Sequence, residues 1–167
     1  MLHAGLFAGQ RLELIDGELI DKMGQNPPHA HVIEVLMDLL RTIFGKGRVR
    51  IQLPIEAATP DRERSSPEPD AAVLANVRDD HRYHPRGEEL LLAIEVADTT
   101  IQFDATVKRD LYARAGVPEY WVIDINTRRV IVHKNPSQGK FQEVVTLPEN
   151  ATASVSGAQI AISELLP

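Results

Sequence analysis

The sequence contains no cysteine among its 167 residues, so disulfide bonds and thiolate metal sites are excluded. It has no apolar run near the ~20 residues that a membrane-spanning helix needs. Its start, Met1 to Gln10, lacks the basic segment and apolar core of a secretory signal. We therefore expect a cytoplasmic protein without a membrane partner.

Basic residues are outnumbered, since 18 Lys and Arg face 24 Asp and Glu and the net charge is −6. This value argues against tight, non-specific nucleic-acid binding, which normally shows a basic footprint. A nuclease, however, must gather carboxylates to hold divalent cations. Two local basic groups occur, and each is equally typical of a solvated surface: Arg78, Arg82 and Arg86 in one loop, and Lys108, Arg109 and Arg114 in one predicted helix.

Length and composition are those of one globular domain. Hydrophobic residues make up 43% of the chain and charged residues 25%, which argues against disorder. We expect a single domain over residues 1–167.

Hydrophobic periodicity predicts the elements. An Asp16-Gly17 pair between two short β-like runs, Leu12 to Ile15 and Glu18 to Met23, indicates a hairpin. Apolar residues at helical spacing predict a first long helix, with Pro27 and Pro28 at its entry and Gly45 at its exit. The stripe consists of Ile33, Leu36, Met37, Leu40, Ile43 and Phe44.

The rest of the chain favours strands around a second helix. That helix is predicted over Asp104 to Ala115, with Asp104 as its N-cap. The predicted strands are Val49 to Ile55, Ala71 to Ala75, Leu90 to Val96, Tyr120 to Ile125, Arg129 to His133, Phe141 to Thr146 and a final run near Ile160 and Ile162. The fold class is α/β (α+β), with a mixed, mainly antiparallel sheet, flanking helices, and hairpins at both ends. Only the step from the Leu90 strand through the second helix to the Tyr120 strand indicates a parallel crossover.

Two carboxylates stand out. Asp70 follows Pro69 at the opening of one strand, and Glu95 interrupts a strand that is otherwise nearly all apolar. A buried carboxylate is costly without a cation or hydrogen-bond donors, and a divalent cation between two of them removes their repulsion. The pair therefore predicts a magnesium or manganese site. Taken singly, Asp70 is more typical of a cap or turn, and Glu95 is also compatible with a strand end that faces water.

A lysine lies on the following helix. Asp104, Lys108 and Tyr112 are four residues apart and share one helix face. One interpretation is a surface ion pair beside a packed tyrosine. The other directs Lys108 toward the metal site, where its charge would stabilise a reacting phosphate.

Three motifs resemble the Uma2 family of restriction-type endonucleases. The most specific is Ile94-Glu95-Val96-Ala97-Asp98-Thr99 followed by Asp104, Lys108, Tyr112 and the run Gly116-Val117-Pro118-Glu119-Tyr120-Trp121-Val122-Ile123-Asp124. The others are Leu14-Ile15-Asp16-Gly17-Glu18-Leu19-Ile20 and Pro69-Asp70, together with His31 at the start of the first long helix. The resemblance covers roughly Leu12 to His133.

The resemblance implies a PD-(D/E)XK nuclease-like fold and an endonuclease that hydrolyses DNA with Mg²⁺ or Mn²⁺. Asp70 and Glu95 would be the catalytic acids and, with the Val96 carbonyl, the metal ligands. The usual lysine, two residues after the second acid, is replaced by Ala97, so Lys108 becomes the candidate for that role. Lys108→Ala should then abolish cleavage and leave Mn²⁺ affinity and folding nearly unchanged, whereas Asp70→Ala and Glu95→Ala should lose both activity and metal binding.

Several alternatives stay open. His29 and His31 point to different sides of a helix start, so we expect His31 to hydrogen-bond near the cleft or cap the helix instead of binding zinc. Glu34 could add a further acid or face solvent, and Asp104 could hold Lys108 or cap its helix. An inactive nuclease-like binding module and a hydrolase acting on RNA or a nucleotide are the rival functions. A homodimer, joined through exposed apolar positions of the Tyr120 to His133 hairpin, is expected for a nuclease that cuts both strands.

Overall fold

The computed structural model describes residues 12–22 and 26–167. A six-stranded sheet forms its centre. In spatial order the strands are β3 (Val49–Ile51), β4 (Ala71–Leu74), β5 (Leu90–Ala97), β6 (Glu119–Asp124), β7 (Arg129–Ser137) and β8 (Lys140–Pro148). Neighbours pair antiparallel except β5 and β6, which are parallel and confirm the predicted crossover.

Helix α1, Pro27–Phe44, covers one face of the sheet. Its apolar stripe buries Ile33, Leu36 and Leu40, as predicted. The side chain of Asn26 accepts a 3.0 Å hydrogen bond from the His29 N–H and so caps the first turn. Gly45, with φ of 88°, ends the helix in a conformation that glycine adopts without strain.

Helix α2, residues 101–114, covers the opposite face. It consists of an α-helical turn at Ile101–Phe103, a π-helical turn at Asp104–Lys108 and a final α-helical segment at Arg109–Arg114. The predicted start at Asp104 is therefore wrong. The Asp104 N–H already donates to the Thr100 carbonyl at 2.9 Å, so this residue lies inside the helix. π-turns of this kind often mark functional sites.

Two hairpins flank the sheet. The first pairs β1, Leu12–Ile15, with β2, Glu18–Asp21. Its turn residues Asp16 and Gly17 both have positive φ, 51° and 89°, as the predicted two-residue hairpin turn requires. The second pairs β9, Thr152–Val155, with β10, Ala158–Ala161, and forms a separate sheet. The final apolar run therefore does not extend the central sheet, although it packs on the α1 side of the core.

Two further expectations are corrected. Strand β3 ends at Ile51 instead of continuing to Ile55, because Gln52 adopts a φ of 52° that breaks the extended backbone. The apolar residues of β6 are buried, so they cannot supply the dimer interface expected in that hairpin. In the described parts of the chain, no helix is both long enough and apolar enough to cross a bilayer.

Candidate active site

A cavity of about 320 Å³ opens where β4, β5, α2 and the first hairpin meet. Alternation along β5 directs Ile94 and Val96 toward α1, and Glu95 toward α2. Ala71 pairs with Ile94 in the antiparallel register of β4 and β5. One step further along this register, Asp70 lies opposite Glu95. Both acids line the cavity, as a cation site shared by the two carboxylates requires.

Asp70 is 3% exposed and is held by three groups. The Val96 N–H donates to its Oδ2 at 2.9 Å, and His29 Nε2 lies 3.5 Å from the same atom. Lys22 Nζ lies 3.6 Å from Oδ1, which has no hydrogen-bond partner. Burial alone would raise the pKa of Asp70. The donor contact from His29, the charge of Lys22 and the Val96 hydrogen bond outweigh burial, and the pKa falls well below its usual range.

Glu95 is 2% exposed and accepts two hydrogen bonds on one oxygen. Lys108 Nζ donates to Oε1 at 2.6 Å and the Tyr112 hydroxyl at 2.7 Å. Burial raises the pKa of Glu95 to about 8, while the charge of Lys108 acts in the opposite direction. The two acids therefore differ in protonation. Asp70 stays ionised at neutral pH, whereas Glu95 gains or loses a proton close to neutral pH.

Lys108 is buried between two carboxylates. Its ammonium lies 2.7 Å from Glu13 Oε1 as well as 2.6 Å from Glu95 Oε1. Glu13 comes from β1, where it is 4% exposed, and its Oε2 accepts the Glu68 N–H at 3.1 Å. Burial would lower the pKa of Lys108, but Glu95 and Glu13 together raise it well above the usual value, so the side chain stays charged.

Two residues of α2 complete this network. Tyr112 is fully buried, and burial together with the neighbouring carboxylates raises the pKa of its hydroxyl well above the usual value. The hydroxyl of Tyr112 therefore stays protonated and donates a hydrogen bond to Glu95. Asp104 lines the cavity and accepts a 2.5 Å hydrogen bond from the Thr100 hydroxyl. Burial raises the pKa of Asp104, and the positive charge of Lys108 lowers it by a smaller amount.

The cavity is polar and strained at one edge. Gln52 lines it with a positive φ, and its buried Nε2 has no hydrogen-bond partner. Its backbone N–H donates to the Asp70 carbonyl at 3.0 Å and so fixes the start of β4. Buried polar atoms without partners and strained backbone both concentrate at sites that act on ligands.

The donors suit a hard divalent cation. In the described ranges, 12–22 and 26–167, no three His, Asp or Glu side chains are placed to hold a metal ion together. Asp70 nevertheless presents a buried carboxylate oxygen without a hydrogen bond, facing the cavity that Glu95 also lines. Mg²⁺ keeps several waters and needs only one or two carboxylates, so Asp70, Glu95 and the Val96 carbonyl fit such an ion.

The structure brings together Asp70, Glu95, Val96, Lys108 and Asp104, all of which line the cavity. His31 and Glu34 do not join them, since both are exposed on α1 and the cap is Asn26. The sequence did not predict a role for Glu13 or Lys22 in the site. It predicted only a packed side chain for Tyr112 and no metal ligand for His29. One signal for Glu13 was available, because alternation along β1 places it on the same buried side as Ile15.

The chain is similar to known proteins in sequence and in fold. The Uma2 family model, described as "Putative restriction endonuclease", matches residues 3–163. A crystal structure described as a "putative nuclease" of DUF820 from Anabaena variabilis ATCC 29413 has a TM-score of 0.72 and 17% identity, covering 93% of this chain and 89% of that chain. At that identity the likeness shows the fold alone. No curated protein matches the chain. Since the family model spans nearly the whole sequence, the chain belongs to the Uma2 family.

Proposed function

We propose that this protein is a metal-dependent endonuclease that hydrolyses DNA phosphodiester bonds. The observation that carries the proposal is the pairing of Asp70 and Glu95 at one cavity, with a buried Asp70 oxygen that lacks a hydrogen bond. Family membership supports the same reaction class. Asp70, Glu95 and the Val96 carbonyl are the proposed cation ligands, and Mg²⁺ or Mn²⁺ is the proposed ion.

When bound, such a cation polarises the phosphate and makes its water a better nucleophile. The chain's own residues prepare the site. Val96 N–H and His29 orient Asp70, while Lys108 and Tyr112 orient Glu95. Lys108 also neutralises part of the charge of the gathered carboxylates, which would otherwise repel one another and an anionic substrate. In this proposal Lys108 is the counterpart of the lysine missing at Ala97.

Metal binding and cleavage should be measured separately. Calorimetry with Mn²⁺ is expected to show binding to the wild type and severe loss in Asp70→Asn and Glu95→Gln, because each variant removes a ligand charge. Supercoiled plasmid and labelled duplex, incubated with Mg²⁺ or Mn²⁺, should be cut by the wild type and not by either variant. Glu34→Gln is the matched control, since Glu34 is an exposed acid on α1 away from the cavity. Wild-type protein that binds no divalent cation and cuts no nucleic acid would refute the proposal.

A second candidate is an inactive nuclease-like module that binds nucleic acid or a partner. The net charge of −6, Ala97 at the usual lysine position and the complete engagement of Lys108 by two carboxylates favour it. Protein that binds Mn²⁺ and DNA without cutting DNA, RNA or nucleotides would favour this module over the enzyme.

A homodimer stays part of the proposal, because one active site serves one strand of a duplex. The apolar residues of the Tyr120 to His133 hairpin are buried apart from the partly buried Ile131, which argues against the interface expected from the sequence. Exposed apolar residues lie instead on strand β8, where Val144 and Val145 are 55% and 51% exposed. Light scattering at working concentration should give twice the mass of 18.5 kDa, and a monomer would contradict this part.

A further inference from the structure

Lys22 follows strand β2 and places its ammonium against Asp70. Its Nζ lies 3.6 Å from Asp70 Oδ1 and donates a 2.5 Å hydrogen bond to the Glu68 carbonyl. The separation from Asp70 exceeds hydrogen-bond length, so the contact is electrostatic. Asp70 Oδ1 is buried and without a hydrogen bond. The positive charge of Lys22 therefore lies beside the same oxygen that the proposed cation needs.

Lys22 and Lys108 differ in what their departure would cost. Lys108 is 2% exposed and holds Glu13 and Glu95 at hydrogen-bond distance, so its departure would leave two buried carboxylates without a counter-charge. The Lys22 side chain is 13% exposed and its contact with Asp70 is longer. Its departure breaks the hydrogen bond to the Glu68 carbonyl and a 3.9 Å ion pair with the Glu68 carboxylate, whose side chain is 21% exposed and reaches water. Asp70 Oδ2 stays held by the Val96 N–H and by His29. Lys22 and Lys108 are the lysines that line the cavity in the described part of the chain. Of these two, Lys22 is the one whose displacement costs less free energy.

We propose that Lys22 binds the phosphate of the substrate, and that it is released for this task when a divalent cation takes its place beside Asp70. This inference rests on the proposed nuclease function and adds a substrate-binding residue to it. Two cations beside one carboxylate oxygen repel each other, so the cation and Lys22 compete. The four-carbon stem of lysine then lets the ammonium reach a phosphate oxygen in the same cavity, as a mobile point charge.

The first arm of the test measures competition for Asp70. Lys22→Met keeps the apolar stem and removes the charge, so Mn²⁺ affinity by calorimetry should rise several-fold to about tenfold. Lys46→Met is the matched control, because Lys46 is exposed beyond the end of α1 and does not line the cavity. Its Mn²⁺ affinity should equal that of the wild type. Circular dichroism and urea denaturation verify that both variants fold.

The second arm measures the phosphate contact without cleavage. Binding of a labelled duplex in Ca²⁺ is recorded over a range of salt concentrations. Lys22→Met should weaken binding on every sequence, and the slope of log affinity against log salt should fall by about 0.9, the value for one phosphate contact. Lys46→Met should leave the slope unchanged.

The outcomes separate this inference from the proposed function. If Lys22→Met binds Mn²⁺ no more tightly than the wild type, displacement of Lys22 by the cation is wrong. If the wild type binds DNA and Lys22→Met keeps its salt slope, the phosphate contact is wrong while the nuclease proposal stands. A wild type that binds neither DNA nor Mn²⁺ overturns both. Tighter Mn²⁺ binding together with a reduced slope supports the inference.

Discussion

Lys108→Met tests the buried charge network most directly. Methionine fills a similar volume but removes an ammonium that lies 2.7 Å from Glu13 and 2.6 Å from Glu95. Both carboxylates are nearly inaccessible, so water cannot replace the lost counter-charge. Removing one partner of a buried ion pair costs about 3–5 kcal/mol. Since a whole domain is stable by only about 5–15 kcal/mol, the variant should lose a large part of its stability.

The loss should depend on pH. Burial raises the pKa of Glu95 to about 8, and removal of Lys108 raises it further. In the variant, Glu95 is therefore protonated below pH 8, and this avoids most of the free-energy cost of a buried, unpaired carboxylate. Above pH 8 the wild-type Glu95 ionises beside Lys108 and the stability of the wild type levels off, whereas the variant, with a higher Glu95 pKa, goes on losing stability as pH rises. We expect the difference in unfolding free energy to be several-fold larger at pH 9 than at pH 6.

Equilibrium urea denaturation with a chelator present measures both values. Adding Glu13→Gln and Glu95→Gln to Lys108→Met should restore part of the stability, because it removes the two buried charges that were left without a counter-charge. A double-mutant cycle with Glu13→Gln isolates the coupling between Glu13 and Lys108. A loss below ~1 kcal/mol at pH 9 would contradict the reasoning, since that is the value of an exposed pair.

Two further outcomes follow from the same structure. Because the pKa of Glu95 is raised in the folded chain, the folded chain keeps a proton that the unfolded chain releases above about pH 4.5. The contribution of Glu95 to stability is therefore complete below pH 4.5 and is lost as pH rises through about 8. Glu95→Gln should remove this part of the pH dependence in metal-free denaturation, and an unchanged pH profile would refute the assignment. Asn26→Ala removes the side-chain acceptor of the His29 N–H and should cost about 1 kcal/mol, whereas Thr42→Ala, near the other end of α1, should cost less in the same assay because the Thr42 hydroxyl bonds a carbonyl already inside the helix.

Local patterns in the sequence determined the main elements and the two acids. The stripe of Ile33, Leu36 and Leu40 predicted α1 because helical periodicity depends only on neighbours along the chain. Asp16-Gly17 predicted its hairpin for the same reason. A charged Glu95 inside an apolar strand was unusual in itself, the cost of burying carboxylates paired it with Asp70, and the resemblance to Uma2 implied the same pair. These features need no knowledge of distant contacts.

Backbone conformation limited the prediction of element ends. The alternation from Val49 to Ile55 indicates a continuous strand, but Gln52 turns away with a positive φ while its N–H bonds Asp70. Asp104 has the residue type of an N-cap, yet the preceding turn is already helical. At Gln52 a contact made elsewhere in the fold outweighs the local preference of the residue, whereas at Asp104 the helix begins one turn earlier along the chain.

The composition of the site was decided by tertiary structure. Glu13 and Lys22 lie on a surface-like hairpin in the sequence, and only the packing of that hairpin beside β4 and α2 brings their charges to Lys108 and Asp70. The expectation that Lys108→Ala leaves folding nearly unchanged is revised for this reason, because an exposed helical lysine and a lysine buried between two carboxylates are identical in sequence. Sequence periodicity specifies which face of an element is apolar, whereas the partner of each buried charge depends on how those faces meet.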